Sequence, residues 1–407
     1  MSTTTSSATA AIDIAAVQKA LAEDKVDGWL FYFFHDNDPL AQHILGLGSS
    51  HFVSRRWFYL IPQHGAPRKL VHRIEMDALD ALPGDKTVYL GWRELHDKLK
   101  EILAGCQTVA MQYSPLNAIP YVSRVDAGIV ELVQESGNVR VVSSADLVQR
   151  FEARWTPAQL KSHLLAADHL RAIVFEAFGT IAAQVQAGEP CHEYAIQQLI
   201  DRAFDQRGMI SNSSCIVAVN ANSGSPHYQP NSAKSDPIKK GDFVLLDIWA
   251  KLKEPADAVY ADITWTGYVA ESVPSKYEEI FQVVRGARDA ALEFVGEAHR
   301  TRKTVHGFEV DDVARNFIKD RGYGNHFVHR TGHSIGLEVH ANGANIDNLE
   351  TRDERRLIAN TGFSIEPGIY LEEFGVRSEI DVFLSDDDAV VGGQPIQTTV
   401  IPILKLS

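Results

Sequence analysis

The chain has 407 residues, 45% hydrophobic and 23% charged, with a formal net charge of −14. That length exceeds one ordinary core, so two domains are expected, and the composition is that of a soluble globular protein. The negative charge argues against nucleic acid or an anionic membrane surface as partner, since both need clustered Lys and Arg, but leaves divalent cations open.

Three widely spaced cysteines, Cys106, Cys191 and Cys215, build neither a disulfide framework nor a CxxC metal knuckle, which fits a reducing cytoplasm. The N-terminal MSTTTSSATAAIDIAAVQ lacks the basic and apolar regions of a secretory signal. No apolar run reaches the length of a bilayer span. A cytoplasmic protein without a membrane partner is expected.

Residues 1–12 form a Ser/Thr/Ala-rich tail, expected to be frayed. VQKALAEDKV has a helical pattern, and DGWLFYFF reads as a buried strand. RWFYLIP, RKLVHRI, KTVYLG and QTVAMQY are further strand candidates, interrupted by the helical WRELHDKLKEILAG. This alternation predicts an α/β domain over residues 13–155. His35, in FYFFHDNDP, reads as a loop histidine.

The second domain, 156–407, opens on a predicted helix with Thr156 as N-cap, Pro157 at its first position and Gly188 as its stop. HEYAIQQLIDRAFDQRG predicts another helix. Short β-rich runs follow (SCIVAV, GDFVLLDIWAK, AVYADITWTGYV), then two helical blocks and a β-rich end. The expected class is α+β, with helices covering one face of a curved, mostly antiparallel sheet.

Four of these strands carry a carboxylate in an apolar setting: Asp247 in VLLDIW, Asp262 in VYADITW, Glu366 in FSIEPGIY and Glu379 in VRSEIDV. Taken singly, each is more often an edge or loop residue, and Arg377 could give Glu379 a surface ion pair. Together they are costly to bury without a partner, and no matching buried Lys or Arg is evident in the pattern. A pair of divalent cations resolves the conflict. Oxygen-rich ligation with one imidazole suits Mn, Co, Fe or Zn. The segment HRTGHSIGLEVH supplies His329, His333 and His340. The His329/His333 spacing would suit a zinc helix, but Gly332, Gly336, Ile335 and Val339 favour a loop and strand.

The ordered set HYQPN, GDFVLLDIWAK, YADITWTG, HRTGHSIGLEVH, FSIEPGIYL and VRSEIDV resembles the pita-bread metallopeptidases, the family of aminopeptidase P, prolidase and creatinase. The match covers about the last 200 residues. The preceding domain resembles the smaller creatinase-type N-terminal domain. The resemblance implies a pita-bread catalytic domain that binds two divalent metals, Mn first with Co, Zn or Fe as alternatives. Asp247 would hold one metal, Asp262 and Glu379 would bridge, and His333 and Glu366 would complete the second. A metal-bridging hydroxide would attack the Xaa-Pro peptide bond, with Glu366 moving its proton. His227, His329 and His340 would face substrate, His340 stabilising the tetrahedral intermediate. Arg377 would support the metal site or the substrate carboxylate. A small peptide substrate and a homodimer are implied, as a dipeptidase or an aminopeptidase.

The chain departs from the family pattern in three places. Fourteen residues separate Asp247 from Asp262, where about ten are usual, and Asp257 falls nearer the usual spacing. Asp262 is preferred for its ADIT context. Trp265 replaces a usual arginine, and Trp249 a usual small residue; both indoles are expected near the pocket. These departures leave open an alternative function, a metal-dependent hydrolase or lyase acting on a small amide or amidino compound.

Overall fold

The structure is a computed structural model that describes residues 12–47 and 53–406. Nearly all of the expected tail, 1–12, lies outside those residues. The chain separates into two compact units, Met1–Glu152 and Ala153–Ser407. The division falls after Glu152 instead of after Trp155, because Trp155 belongs to the second core. Its ring stacks on Phe383 and its Nε1 donates to the Ile335 carbonyl at 3.1 Å.

In the first unit the order is α1 (Ile14–Asp24), β1 (Gly28–Phe33), α2 (Pro39–Ile44), β2 (Trp57–Pro62), β3 (Arg68–His72), β4 (Asp85–Tyr89), α3 (Trp92–Leu103), β5 (Thr108–Met111), α4 (Ala127–Gly137), β6 (Arg140–Ser143) and α5 (Ala145–Glu152). The strands form one mixed sheet, β4-β3-β2-β1-β5-β6. The central β1 is buried on both faces, as its aromatic run requires. Trp29, Phe31 and Phe33 face one apolar layer, and Leu30 and Tyr32 the other.

The second unit opens with α6 (Pro157–Ala187). Thr156 and Gln159 form a capping box, and Gly188 ends the helix at φ 70°, a left-handed conformation that suits glycine. Next come α7 (Glu193–Gln206), β7 (Met209–Ile210), β8 (Ile216–Val219), β9 (Phe243–Leu252), β10 (Ala261–Tyr268), α8 (Ser275–Arg300) and α9 (Gly307–Lys319). The remaining strands are β11 (Ser334–Ile335), β12 (Gly362–Ile365), β13 (Gly368–Tyr370), β14 (Gly375–Arg377), β15 (Ile380–Leu384), β16 (Ala389–Val391) and β17 (Ile401–Pro402).

These strands form two main ladders. The first is β17-β10-β9-β7 with β8 beside β9; the second is β11-β12-β15-β16, and β13 and β14 form a hairpin. Helix α6 packs on β9 and β10 through Ile173, Phe178, Leu246, Ile248 and Ile263. Helices α8 and α9 share a core with the second ladder through Phe281, Val284, Val310, Phe363 and Val382.

Period-2 alternation then dictates what the opposite face of the first ladder presents. On β9 that face carries Leu245, Asp247, Trp249 and Lys251, and on β10 it carries Asp262, Thr264 and Thr266. The antiparallel register sets Thr264 opposite Asp247 and Asp262 opposite Trp249.

Candidate metal centre

Asp262, His333 and Glu379 are all buried, and each offers a ligand atom within 4.8 Å of the others'. They come from three places: β10, the loop entering β11, and the turn between β14 and β15. The loop before β11 approaches β12 so closely that a Cβ on Gly332 would lie 1.9 Å from the Ser364 carbonyl oxygen. This approach lets Ser364 Oγ accept the His333 N–H at 3.0 Å, and lets Ser364 N–H donate back to the His333 carbonyl at 2.9 Å.

The donor set fits a cation. Asp262 Oδ1 and Glu379 Oε1 are buried without a hydrogen-bond partner, a costly state for carboxylate oxygens. His333 Nδ1 donates to the Ser334 carbonyl at 3.2 Å, which leaves Nε2 with a free lone pair. That Nε2 lies 3.3 Å from Glu366 Oε1 and 3.6 Å from Asp262 Oδ2. Burial and the crowding of like charge push Asp262 and Glu379 well above the usual carboxylate range. Burial holds the His333 imidazole below its ordinary value, hence neutral. Hard oxygen donors and one imidazole in a dry site are what a divalent first-row cation takes.

Asp247 and Glu366 flank this group. Thr264 Oγ1 lies 3.0 Å from Asp247 Oδ1 and 2.8 Å from Glu379 Oε2, and it accepts the Arg377 Nε–H at 3.1 Å. The Arg377 guanidinium is buried and pairs with Asp247 Oδ2. A buried arginine therefore does stand beside the acids, and Arg377 serves Asp247, not Glu379 in a surface pair as the sequence suggested. Glu366 Oε1 accepts from Ser364 Oγ at 3.1 Å, and burial raises its carboxyl against the pull of His333 and Arg377. Asp257 is exposed, whereas Asp262 faces the site.

The three remaining histidines differ. His340 is exposed and meets the His333 ring edge-on at 4.2 Å, and the neighbouring His333 pushes it below its ordinary value. His227 is exposed in the loop after β8, close enough to contribute to that lowering. His329 has both ring nitrogens engaged. Its Nδ1 donates to the Arg330 carbonyl at 2.7 Å, so Nε2 accepts from Tyr370 OH at 2.7 Å. Tyr370 OH in turn accepts from Arg377 at 2.8 Å. Burial and the Arg377 charge press His329 down to about 3. Trp265 points away from the site into the α6 core, edge-on to Phe175, so of the two indoles only Trp249 shares the site face.

Three residues of this neighbourhood carry no role in the sequence pattern. Tyr370 sits inside the quoted EPGIY. Asp381 is buried on β15, where its Oδ2 accepts the Asp262 backbone N–H at 2.8 Å. It is one more acid in an apolar strand, the same signal that marked the other four. Glu193 is fully buried at the start of α7 and accepts four hydrogen bonds: from Val219 N–H, Asn222 Nδ2, Tyr228 OH and Asp236 N–H. It thereby ties down both sides of the loop that carries His227.

A sequence model described as Metallopeptidase family M24 matches residues 164–386. The Xaa-Pro dipeptidase of Pyrococcus furiosus is 34% identical over 175 residues, 43% of this chain and 45% of that protein. The chain spans about half the length of the curated relatives it matches. Among solved structures, dipeptidase PepE from Mycobacterium ulcerans superposes with a TM-score of 0.65 at 22% identity, over 95% of this chain and 96% of that one. A prolidase from Thermococcus sibiricus gives 0.60 at 20% identity, over 96% and 100%. The expected pita-bread, α+β architecture is thus the one observed.

Proposed function

The chain belongs to metallopeptidase family M24, and on that premise we propose that it hydrolyses the bond ahead of proline in small peptides, using two divalent metal ions. The observation that carries this reading is the Asp262–His333–Glu379 group, with its partnerless carboxylate oxygens and its outward imidazole lone pair. Asp262 and Glu379 would bridge the ions, Asp247 would serve one, and His333 and Glu366 the other. Mn is the first choice, with Co, Zn or Fe as alternatives. When bound, the ions supply Lewis-acid polarisation of the scissile carbonyl and a lowered pKa for water.

The protein's own groups do the rest. Glu366 takes the proton of the attacking water at Oε2, the oxygen left free of Ser364, and hands it to the departing amine. His340 and His227 bind the substrate from the cleft rim, and the neutral His340 donates to the oxygen of the tetrahedral carbon. His329, fixed between Tyr370 and Arg330, shapes the wall. Arg377 spends its nitrogens on Asp247, Thr264 and Tyr370, and so holds the ligand face in place. The first unit is assigned as a creatinase-like N-terminal domain. Family resemblance supports a homodimer, and the widely spaced cysteines suit a cytoplasmic setting. Among the described residues no helix is long and apolar enough to cross a membrane.

The test is metal depletion by dialysis, separate restoration of Mn, Co or Zn, and assay of an Ala-Pro dipeptide beside an Xaa-Pro tripeptide. Turnover restored by metal, and abolished in Glu366→Ala, is expected. A metal-loaded protein that cleaves neither peptide refutes the proposal.

A further inference from the structure

Trp249 stands two residues beyond Asp247 on the same face of β9, about 7 Å along the strand by ordinary pleat geometry. Its indole is held on three sides. Nε1 donates to Asn212 Oδ1 at 3.1 Å. One flank packs against the apolar cluster that contains Leu245 and Tyr228, the residue after His227. The other packs against the cluster containing Tyr260 and Val339, the residue before His340. Lys251, next on this face, donates Nζ to the Leu337 carbonyl at 2.6 Å and clamps the same loop. The indole therefore bridges the two histidine-bearing segments and is itself only half-buried.

We propose that Trp249 sets the size of the substrate residue on the carbonyl side of the scissile bond, restricting it to small side chains. This rests on the peptidase reading. In that reading Glu366 serves the leaving amine, and the carbonyl-side residue is assigned to the face of β9 that Asp247 and Trp249 share. A side chain fixed by a hydrogen bond and by packing on both flanks cannot swing aside without breaking them. A bulky residue would have to displace it, whereas glycine or alanine would fit beneath it.

The experiment compares wild type, Trp249→Phe and Trp249→Ala on Gly-Pro, Ala-Pro, Leu-Pro and Phe-Pro. It measures kcat/KM with Mn restored, and calorimetric binding of the same peptides to metal-depleted protein. Wild type should prefer Gly-Pro and Ala-Pro. In Trp249→Ala the Phe-Pro to Ala-Pro ratio should rise at least about tenfold, the scale of hydrophobic-pocket discrimination, with a smaller rise in Trp249→Phe. An unchanged ratio in an active Trp249→Ala overturns the assignment and leaves the peptidase reading standing. Should wild type cleave none of the peptides, the peptidase reading falls and the binding arm decides. A size preference relaxed in the variants then upholds Trp249 as the limit, and an unrelaxed one overturns it. Trp249→Phe provides the same comparison if Trp249→Ala does not fold.

Discussion

Asp381 Oδ2 accepts the backbone N–H of Asp262 at 2.8 Å, so one buried carboxylate fixes the main chain beneath another. Behind it, His163 Nε2 lies 3.8 Å from the same oxygen, while His163 Nδ1 donates to the Tyr260 carbonyl at 2.7 Å. Asp381 thus joins the two ladders at the point where the proposed metal ligands converge. Asp381→Ala should leave the Asp262 N–H unsatisfied, at a cost of about 1–3 kcal/mol, and weaken Mn affinity roughly 10–100-fold, as loss of a ligand-orienting partner does elsewhere. Asp381→Asn keeps an acceptor oxygen and should preserve most of both. Denaturant titration and calorimetric Mn binding check the pair; equal Mn affinity in wild type and Asp381→Ala would detach Asp381 from the site.

Glu193 should matter to substrate through the loop it ties. Glu193→Ala takes the acceptor from four donors, two of them buried, and should destabilise the second unit by about 3 kcal/mol. In Glu193→Gln, one half of the side chain can no longer accept, so Tyr228 and Asp236 lose their partner or the amide turns. In that variant KM should rise several-fold while kcat and bound Mn change little, because His227 is displaced and the proposed metal ligands are not. A fall in bound Mn equal to the rise in KM would show that the effect is structural.

Cations should stabilise the fold in proportion to their binding. A ligand present at 100 times its dissociation constant adds about 2.7 kcal/mol to the folded state. Thermal unfolding with graded Mn should therefore move upward in wild type, and the shift should shrink in Asp262→Ala and in His333→Ala. An equal shift in all three proteins would place the stabilising ion elsewhere.

Asp38 gives the first unit a pH dependence of its own. It is the N-cap of α2, where Oδ1 accepts the Ala41 N–H, but Oδ2 is buried without a partner, and burial pushes the carboxyl up to about 6. An unfolded Asp ionises near ~4. Below that pH both states hold the proton and ionisation costs nothing. Between about 4 and 6 the folded state keeps a proton that the unfolded state has lost, so stability falls as pH rises, and above about 6 the loss is complete. The stability difference between Asp38→Asn and wild type should therefore widen in favour of the variant by up to about 3 kcal/mol from about pH 4 to pH 8. A gap that stays constant with pH would contradict this.

Features governed by neighbours along the chain are legible in the residues alone. Helix α6 starts and stops where Thr156, Pro157 and Gly188 dictate, since capping is a matter of a few adjacent residues. The acid-in-strand signal picks out Asp247, Asp262, Glu366 and Glu379, because burying a lone carboxylate is costly wherever it occurs. What the sequence conceals depends on register and long-range approach. Arg377 reaches Asp247 across 130 residues, and no spacing rule connects them. Trp265 faces away because it alternates with Asp262 and Thr264 along β10, a parity fixed only once the strand is placed. Glu193 looks like an ordinary acid in the first turn of an amphipathic helix.

The antiparallel ladder places Asp247 opposite Thr264 whatever the number of residues beyond Leu252, so the connector can lengthen without moving the ligands. Its tip, Glu254–Ala256, is exposed. This decoupling makes the exposed tip a practical point for inserting a short peptide, such as an immobilisation handle or a fluorophore site, outside the register that pairs Asp247 with Thr264.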